Sequence, residues 1–211
     1  TPYTSSAASD VYKRQEEANP LPNLAKDWEW SSDRKSLTMN LIEGARWSDG
    51  DIFDTEDIDF WWNDNVQDAN VASRLPKDAL GAGTTLEILG PYSFKFNFDE
   101  PKGNAVLAQL AYMGGAPGPS HVMKPLHPAH NSDATYESYA NGMPASVLPI
   151  VTLGAYVPVV HKVDELMVMK RNPYYWKVDE ECNQLPYYNE TIYKLTSWDD
   201  RTTQALAGTG D

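Results

Sequence analysis

Four histidines, one cysteine and thirty carboxylates are the groups in this 211-residue chain with the most obvious chemistry. His121, His127 and His130 come first, because imidazole ligates zinc and nickel. Their spacing is H-x5-H-x2-H within a Gly-, Pro- and His-rich stretch. It lacks the helical H-E-x-x-H arrangement that fixes two ligands on one face. They read as exposed loop histidines, and no metal site is expected; His161, at a strand end, belongs to no constellation. Cys182 is the single cysteine, which rules out an internal disulfide or a cysteine-based zinc site.

Neighbouring carboxylates recur at Asp49/Asp51, Glu56/Asp57 and Asp179/Glu180/Glu181. A glycosidase needs two carboxyls placed across a sugar, one with a raised pKa, and nothing in the sequence isolates such a pair. No G-x-S-x-G, P-loop or G-x-G-x-x-G pattern occurs. No catalysis and no cofactor are therefore expected. Trp47-Ser48-Asp49-Gly50 has the look of a reactive loop but the composition of a tight turn, in which Asp bonds locally and Gly accepts φ > 0. A structural role is expected there ahead of a ligand contact through Asp49.

Seven Trp and twelve Tyr fill cores but also line pockets that bind sugars or peptides. Trp61 and Trp62 share a helical spacing with Ile58 and Val66, so at least one of the pair belongs in the core. Trp62 is a candidate aromatic wall for a ligand, as are Tyr112 and Met113, at a helix end before a Gly-Gly-Ala-Pro loop. The formal net charge of −13 argues against nucleic acid, whose affinity depends on neutralising phosphates. No run of about 18 apolar residues is present to span a membrane.

The elements that must position these residues follow from period and punctuation. Residues 1–15 read as a disordered polar tail, and the run SSAASDVYKRQ resembles translated sequencing-adapter read-through, which sets this prefix aside from fold reasoning. Trp28–Trp30 and Ser36–Ile42 form a hairpin, with Leu37, Met39 and Leu41 on one face. A helix starts at Asp54 with Asp57 closing a capping box, buries Ile58, Trp61, Trp62 and Val66, and ends near Gln67–Asn70. Thr84–Leu89 and Tyr92–Phe98 are strands, the second alternating Phe94, Phe96 and Phe98. A helix follows over Asn104–Met113, then mostly loop over Gly114–Asn131, then a weak helix over Asp133–Ala140. Ala155–His161, Glu165–Arg171 and Glu190–Ser197 are further strands, and Asp199–Ala207 is a helix capped by Asp199 or Asp200. The boundary between two structural parts is expected at Asn141–Pro144.

Four motifs in register carry a resemblance. They are Leu24-Ala25-x-x-Trp28 with Ser32-Asp33; Gly44-x-x-Trp47-Ser48-Asp49-Gly50 with Phe53 and Asp57-Ile58; Arg171-Asn172-Pro173-x-Tyr175-Trp176; and Leu206-Ala207-Gly208-x-Gly210-Asp211. Over about residues 20–211 the chain resembles the family 5 extracellular solute-binding proteins, the peptide- and nickel-binding receptors of bacterial ABC importers. It departs from the usual Leu-Arg-x-Gly at Leu41-Ile42-Glu43-Gly44, and from Gly-Thr-Gly-Pro-Tyr at Thr152-Leu153-Gly154-Ala155-Tyr156.

The resemblance implies an α+β, periplasmic-binding-protein type II-like fold, the Venus flytrap, present only in part. The division expected is 16–145 as a small β-rich α+β domain and 146–211 as part of the first lobe, with the second lobe absent. Trp47, Asp49, Gly50, Asp57, Asn172, Pro173, Tyr175 and Trp176 are implied as structural signature residues. The implied function is capture of peptides, or a related small solute, by lobe closure, with delivery to ABC permease subunits. The implied setting is periplasmic or extracellular, with a lipid anchor and a monomeric state as expectations. The alternative, from the aromatic and carboxylate content, is a secreted carbohydrate-active enzyme or sugar-binding module.

Overall fold

The computed structural model describes residues 20–73, 75–111, 117–139 and 148–208. Two units emerge from the chain's internal packing. Unit 1 is Thr1–Ala45 with Ile52–Gly142, and unit 2 is Arg46–Asp51 with Met143–Asp211. The Trp-Ser-Asp-Gly turn thus belongs to unit 2, although its flanking sequence belongs to unit 1. Seventeen of the twenty buried apolar side chains among the described residues are in unit 1; Trp47, Val157 and Tyr175 are in unit 2.

Unit 1 is built on a four-stranded antiparallel sheet in the order β1-β2-β4-β3, from β1 (Ala25–Trp30), β2 (Ser36–Leu41), β3 (Thr85–Gly90) and β4 (Ser93–Asn97). The alternating apolar residues decide which face is buried. Leu37 pairs with Phe96 and Met39 with Phe94 across the central strands, and Leu37, Leu41, Phe94, Phe96 and Phe98 are all buried. Phe94 and Phe96 meet edge to face, 5.6 Å between centroids, a favoured aromatic geometry.

Helix α1 (Thr55–Asp59) begins as expected. Asp54 caps it, and Asp57 closes the reciprocal half of the capping box. Thr55 ties this end to the β3–β4 turn, its N–H and Oγ1 donating to the carbonyls of Pro91 and Gly90 at 3.0 and 2.8 Å. The helix then widens into a π-helix over Phe60–Val66, and Gln67 N–H donates to the Trp62 carbonyl five residues back. Phe60, Trp61 and Trp62 are buried in succession, more than one α-helical stripe accommodates. Trp62 meets Phe96 of the sheet edge to face at 5.0 Å, while Phe60 meets the His127 ring at 6.1 Å.

Shorter helices complete unit 1: α2 (Ala105–Gln109), α3 (Ser120–Met123), a 3-10 turn over Lys124–Leu126, and α4 (Tyr136–Tyr139). The stretch expected to be mostly loop therefore holds two helical turns. Their start is fixed by Ser120 N–H, which donates to the buried Asp57 carboxylate at 2.8 Å, a tertiary contact without local sequence signal.

Unit 2 holds a three-stranded antiparallel sheet, β5 (Tyr156–Lys162), β6 (Leu166–Arg171) and β7 (Glu190–Lys194), in that order. Helix α5 (Trp198–Leu206) follows, and its cap is Ser197 rather than either expected aspartate: Ser197 Oγ accepts from Asp200 N–H at 3.1 Å. Among the described residues, no helix is long and apolar enough to cross a membrane.

Candidate functional site

The Trp47–Asp51 turn is held by its own backbone and by unit 2. Trp47 N–H donates to the Asp51 carbonyl at 2.8 Å, and Asp49 Oδ1 accepts from Asp51 N–H at 3.3 Å. Ser48 bonds Thr152 twice, its N–H donating to the carbonyl at 2.9 Å and its Oγ accepting the amide at 3.1 Å. Gly50 lies at φ +96°, and a Cβ there would sit 3.1 Å from the Tyr174 ring. Only glycine satisfies both the backbone and the close approach. Trp47 is buried and Asp49 is exposed.

Tyr174 is set by the Arg-Asn-Pro-Tyr-Tyr-Trp segment, whose hub is the fully buried Asn172. Its amide donates to the Gly154 carbonyl and its Oδ1 accepts Tyr174 N–H, each at 2.9 Å. Gln184 clamps the same segment: Nε2 donates to the carbonyls of Pro173 and Tyr175, while Arg171 Nη2 donates to Gln184 Oε1 and to its backbone carbonyl. The Trp176 ring tilts against Tyr175 and carries the Lys177 ammonium at 5.1 Å. In this geometry the segment braces a turn. Gln184, with no distinguishing sequence context, is a member that sequence reasoning passed over.

The histidines differ most from expectation. His127 is fully buried instead of lying in an exposed loop. Its Nε2 lies 3.0 Å from the Asp64 carbonyl, and its Nδ1 accepts Ala129 N–H at 3.1 Å. Those partners assign a neutral ring protonated at Nε2. His121 and His130 are both exposed as expected, and His130 Nε2 is 3.0 Å from Asp64 Oδ2. Tyr136 donates to Asp68 at 2.7 Å, Tyr139 donates to Asn65, and the Tyr139 ring meets His127 at 4.4 Å. Burial pushes the Tyr139 phenol up to about 12. Burial also raises Asp68, but hydrogen bonds from Asn70 and Tyr136 outweigh it and hold the carboxyl below its ordinary range.

Ligand atoms of Asp64, His127 and His130 lie within 4.8 Å of one another. Zinc would have to sit on the Nε2 axis at about 2.0–2.1 Å, where the Asp64 carbonyl already receives the proton, and the Nδ1 lone pair is taken by Ala129. The cluster instead works as a tertiary cap: the ring donates to a carbonyl near the π-helix end, where such groups lack helical partners.

The carboxylate pairs also serve the backbone. Asp57 belongs to the capping box and holds Ser120, while Asp179 accepts from Glu181 N–H, Asn183 N–H and the Tyr187 hydroxyl. The Tyr187 bond, chiefly, holds Asp179 below its ordinary range. Of the three ligand candidates, Tyr112 and Met113 lie outside the described residues. Trp62 is 1% exposed and spends its faces on Trp61 and Phe96, so in unit 1 it is a core residue. Among the described residues, the aromatics more than half exposed are Tyr187, Tyr188, Tyr193 and Trp198, all in unit 2.

Residues 19–211 match the family described as bacterial extracellular solute-binding proteins, family 5 Middle. The periplasmic alpha-galactoside-binding protein of Rhizobium meliloti is 48% identical over 198 residues, covering 93% of this chain and 28% of that protein. The periplasmic binding protein MelB of Agrobacterium fabrum C58, solved in complex with stachyose, superposes with a TM-score of 0.86 at 44% identity, over 96% of this chain and 31% of that one. The oligopeptide-binding protein OppA of Salmonella typhimurium is 27% identical over 188 residues, covering 81% of this chain and 32% of that protein. The chain thus spans about a third of the length of these relatives, as part of a type II periplasmic-binding-protein fold. It belongs to the family 5 bacterial extracellular solute-binding proteins.

Proposed function

We propose that the full-length protein is the periplasmic receptor of an ABC importer and that its solute is an oligosaccharide of the α-galactoside class. One observation carries the choice of solute. The chain is 48% identical to an alpha-galactoside-binding protein, but 27% identical to an oligopeptide-binding one. The solved stachyose complex, at 44% identity, supports the same class. Peptide capture, expected from sequence, becomes the second reading, favoured by the OppA similarity. Capture proceeds by hinge closure, since a ligand that binds the closed form better shifts the equilibrium toward it. The receptor performs no chemistry on its solute, acts as a monomer and hands the solute to membrane permease subunits.

Titration of the full-length receptor with stachyose and with a panel of di- to oligopeptides, read by calorimetry, tests the assignment. Saturable binding of stachyose and none of the peptides is expected. Peptide binding without stachyose binding would return the assignment to peptides. Turnover of the glycoside, lost on substitution of one carboxylate, would replace the receptor with an enzyme.

A further inference from the structure

Asp49-Gly50 is the single aspartyl-glycine step in the sequence. It sets a carboxyl beside the least hindered kind of backbone nitrogen, and such a step can cyclise. The Gly50 nitrogen attacks Asp49 Cγ; a C–N bond forms, the carboxyl gives up its hydroxyl and the nitrogen its proton, and one water leaves. Water then opens the five-membered succinimide at either carbonyl. One opening restores aspartate. The other leaves isoaspartate, in which the main chain runs through the side-chain carbonyl and is one carbon atom longer. The atoms balance with water alone, and no enzyme or cofactor is needed.

The turn exposes this step to water and at the same time ties down both reacting groups. Asp49 is exposed. The Gly50 N–H, however, donates to the Trp47 carbonyl at 2.9 Å, and Asp49 Oδ1 accepts from Asp51 N–H at 3.3 Å. Cyclisation requires that nitrogen to lose its proton and that carboxyl to swing toward it, so both bonds must break first. Ser48 adds a further restraint through its two bonds to Thr152, at 2.9 and 3.1 Å. Gly50 has no slack beside Tyr174, since even a Cβ would lie 3.1 Å from the ring.

We propose that Asp49 is a site of spontaneous isomerisation, and that opening of the Trp47–Asp51 turn sets its rate. The closed turn protects the step, and the modified step cannot rebuild the turn. An extra main-chain carbon between Asp49 and Gly50 prevents the Ser48–Thr152 pair and the close approach to Tyr174 from forming together. Isomerisation therefore converts a transient opening into a lasting loss of this brace in unit 2. The proposal rests on the turn's geometry and is independent of the solute's identity.

The test uses the full-length receptor, aged in warm, mildly alkaline buffer both folded and in urea. Isoaspartate at position 49 is read by peptide mapping with electron-transfer fragmentation. Asn141-Gly142 yields the same product with loss of ammonia, and in the urea sample it verifies detection. Expected is isoaspartate at Asp49 in both samples, forming about 10-fold more slowly in the folded one, where reaction waits on local opening. Ser48→Ala removes the acceptor of the Thr152 N–H. It should raise the folded rate about fivefold and leave the urea rate unchanged. Aged folded receptor should also exchange the Thr152 amide faster than fresh receptor. Equal rates folded and in urea would overturn the proposal, as would a folded Asp49 that stays intact while the unfolded one is consumed. A folded Ser48→Ala rate equal to that of the unsubstituted receptor would overturn the role of the turn. The comparison of folded and urea samples needs no substitution, so a misfolded variant leaves the proposal open to refutation.

Discussion

At the scale of single residues, the chain's polar chemistry goes into bracing its backbone. Asn172 and His127 are both fully buried, and each uses donor and acceptor on main-chain groups. An unsatisfied buried group costs more than a made bond returns, so such residues specify geometry. Tyr139 offers the cleanest test. Its hydroxyl donates to Asn65, and burial raises the phenol to about 12 from an ordinary 10.0. The folded state holds this proton more tightly than the unfolded chain. The associated stability is therefore complete below pH 10 and is lost as pH rises toward 12. Tyr139→Phe should cost about 1 kcal/mol at neutral pH by removing the hydrogen bond. It should also flatten the alkaline fall in stability, as read by denaturant melts across that window. An unchanged alkaline limb would place the titration elsewhere.

Among the elements, α1 is the joint that matters most in unit 1, and Asp57 is its pivot. One carboxylate oxygen accepts from Asp54 N–H at 3.4 Å and the other from Ser120 N–H at 2.8 Å, so one side chain sets both the helix start and the start of α3. Asp57→Ala should destabilise unit 1 by about 2–4 kcal/mol, whereas Asp57→Asn, which keeps an acceptor, should cost about half as much. Equal losses for the two, in equilibrium denaturation of the full-length protein, would show that charge and not acceptor geometry is decisive. The local half of this arrangement was legible in the sequence: the Asp54–Asp57 spacing, the alternation of Phe94, Phe96 and Phe98, and both hairpins. What was not legible depends on contacts distant in sequence. The burial of His127 requires Asp64 and Tyr139 to be brought to it, and the π-helix arises because Phe60, Trp61 and Trp62 must all be covered. The Ser197 cap was hidden in the sequence by two following aspartates with similar propensity for the role. The Trp47–Asp51 stretch was legible as a tight turn, but its partners Thr152 and Tyr174 lie more than a hundred residues away.

For the whole molecule, the uneven share of the core carries a consequence. Among the described residues unit 1 holds seventeen buried apolar side chains and unit 2 three, while Tyr187, Tyr188, Ile192, Tyr193, Leu195, Trp198 and Leu206 of unit 2 are all more than half exposed. Each well-buried large apolar side chain contributes about 1.5–3 kcal/mol relative to exposure, so the two units of the 211-residue polypeptide cannot be equally stable by themselves. Cooperative two-state unfolding holds for single domains and fails where units differ in this way. The isolated 211-residue polypeptide should therefore unfold in two steps, unit 2 first. Hydrogen exchange through a urea series reports this directly. Peptides from β5 to β7 should lose protection at lower urea than peptides from β2 and β4. One concerted transition in the 211-residue polypeptide would mean that three buried apolar residues, with the hydrogen-bonded brace around Asn172, suffice to hold unit 2. The stability of unit 2 would then reside in its polar framework and not in its apolar core.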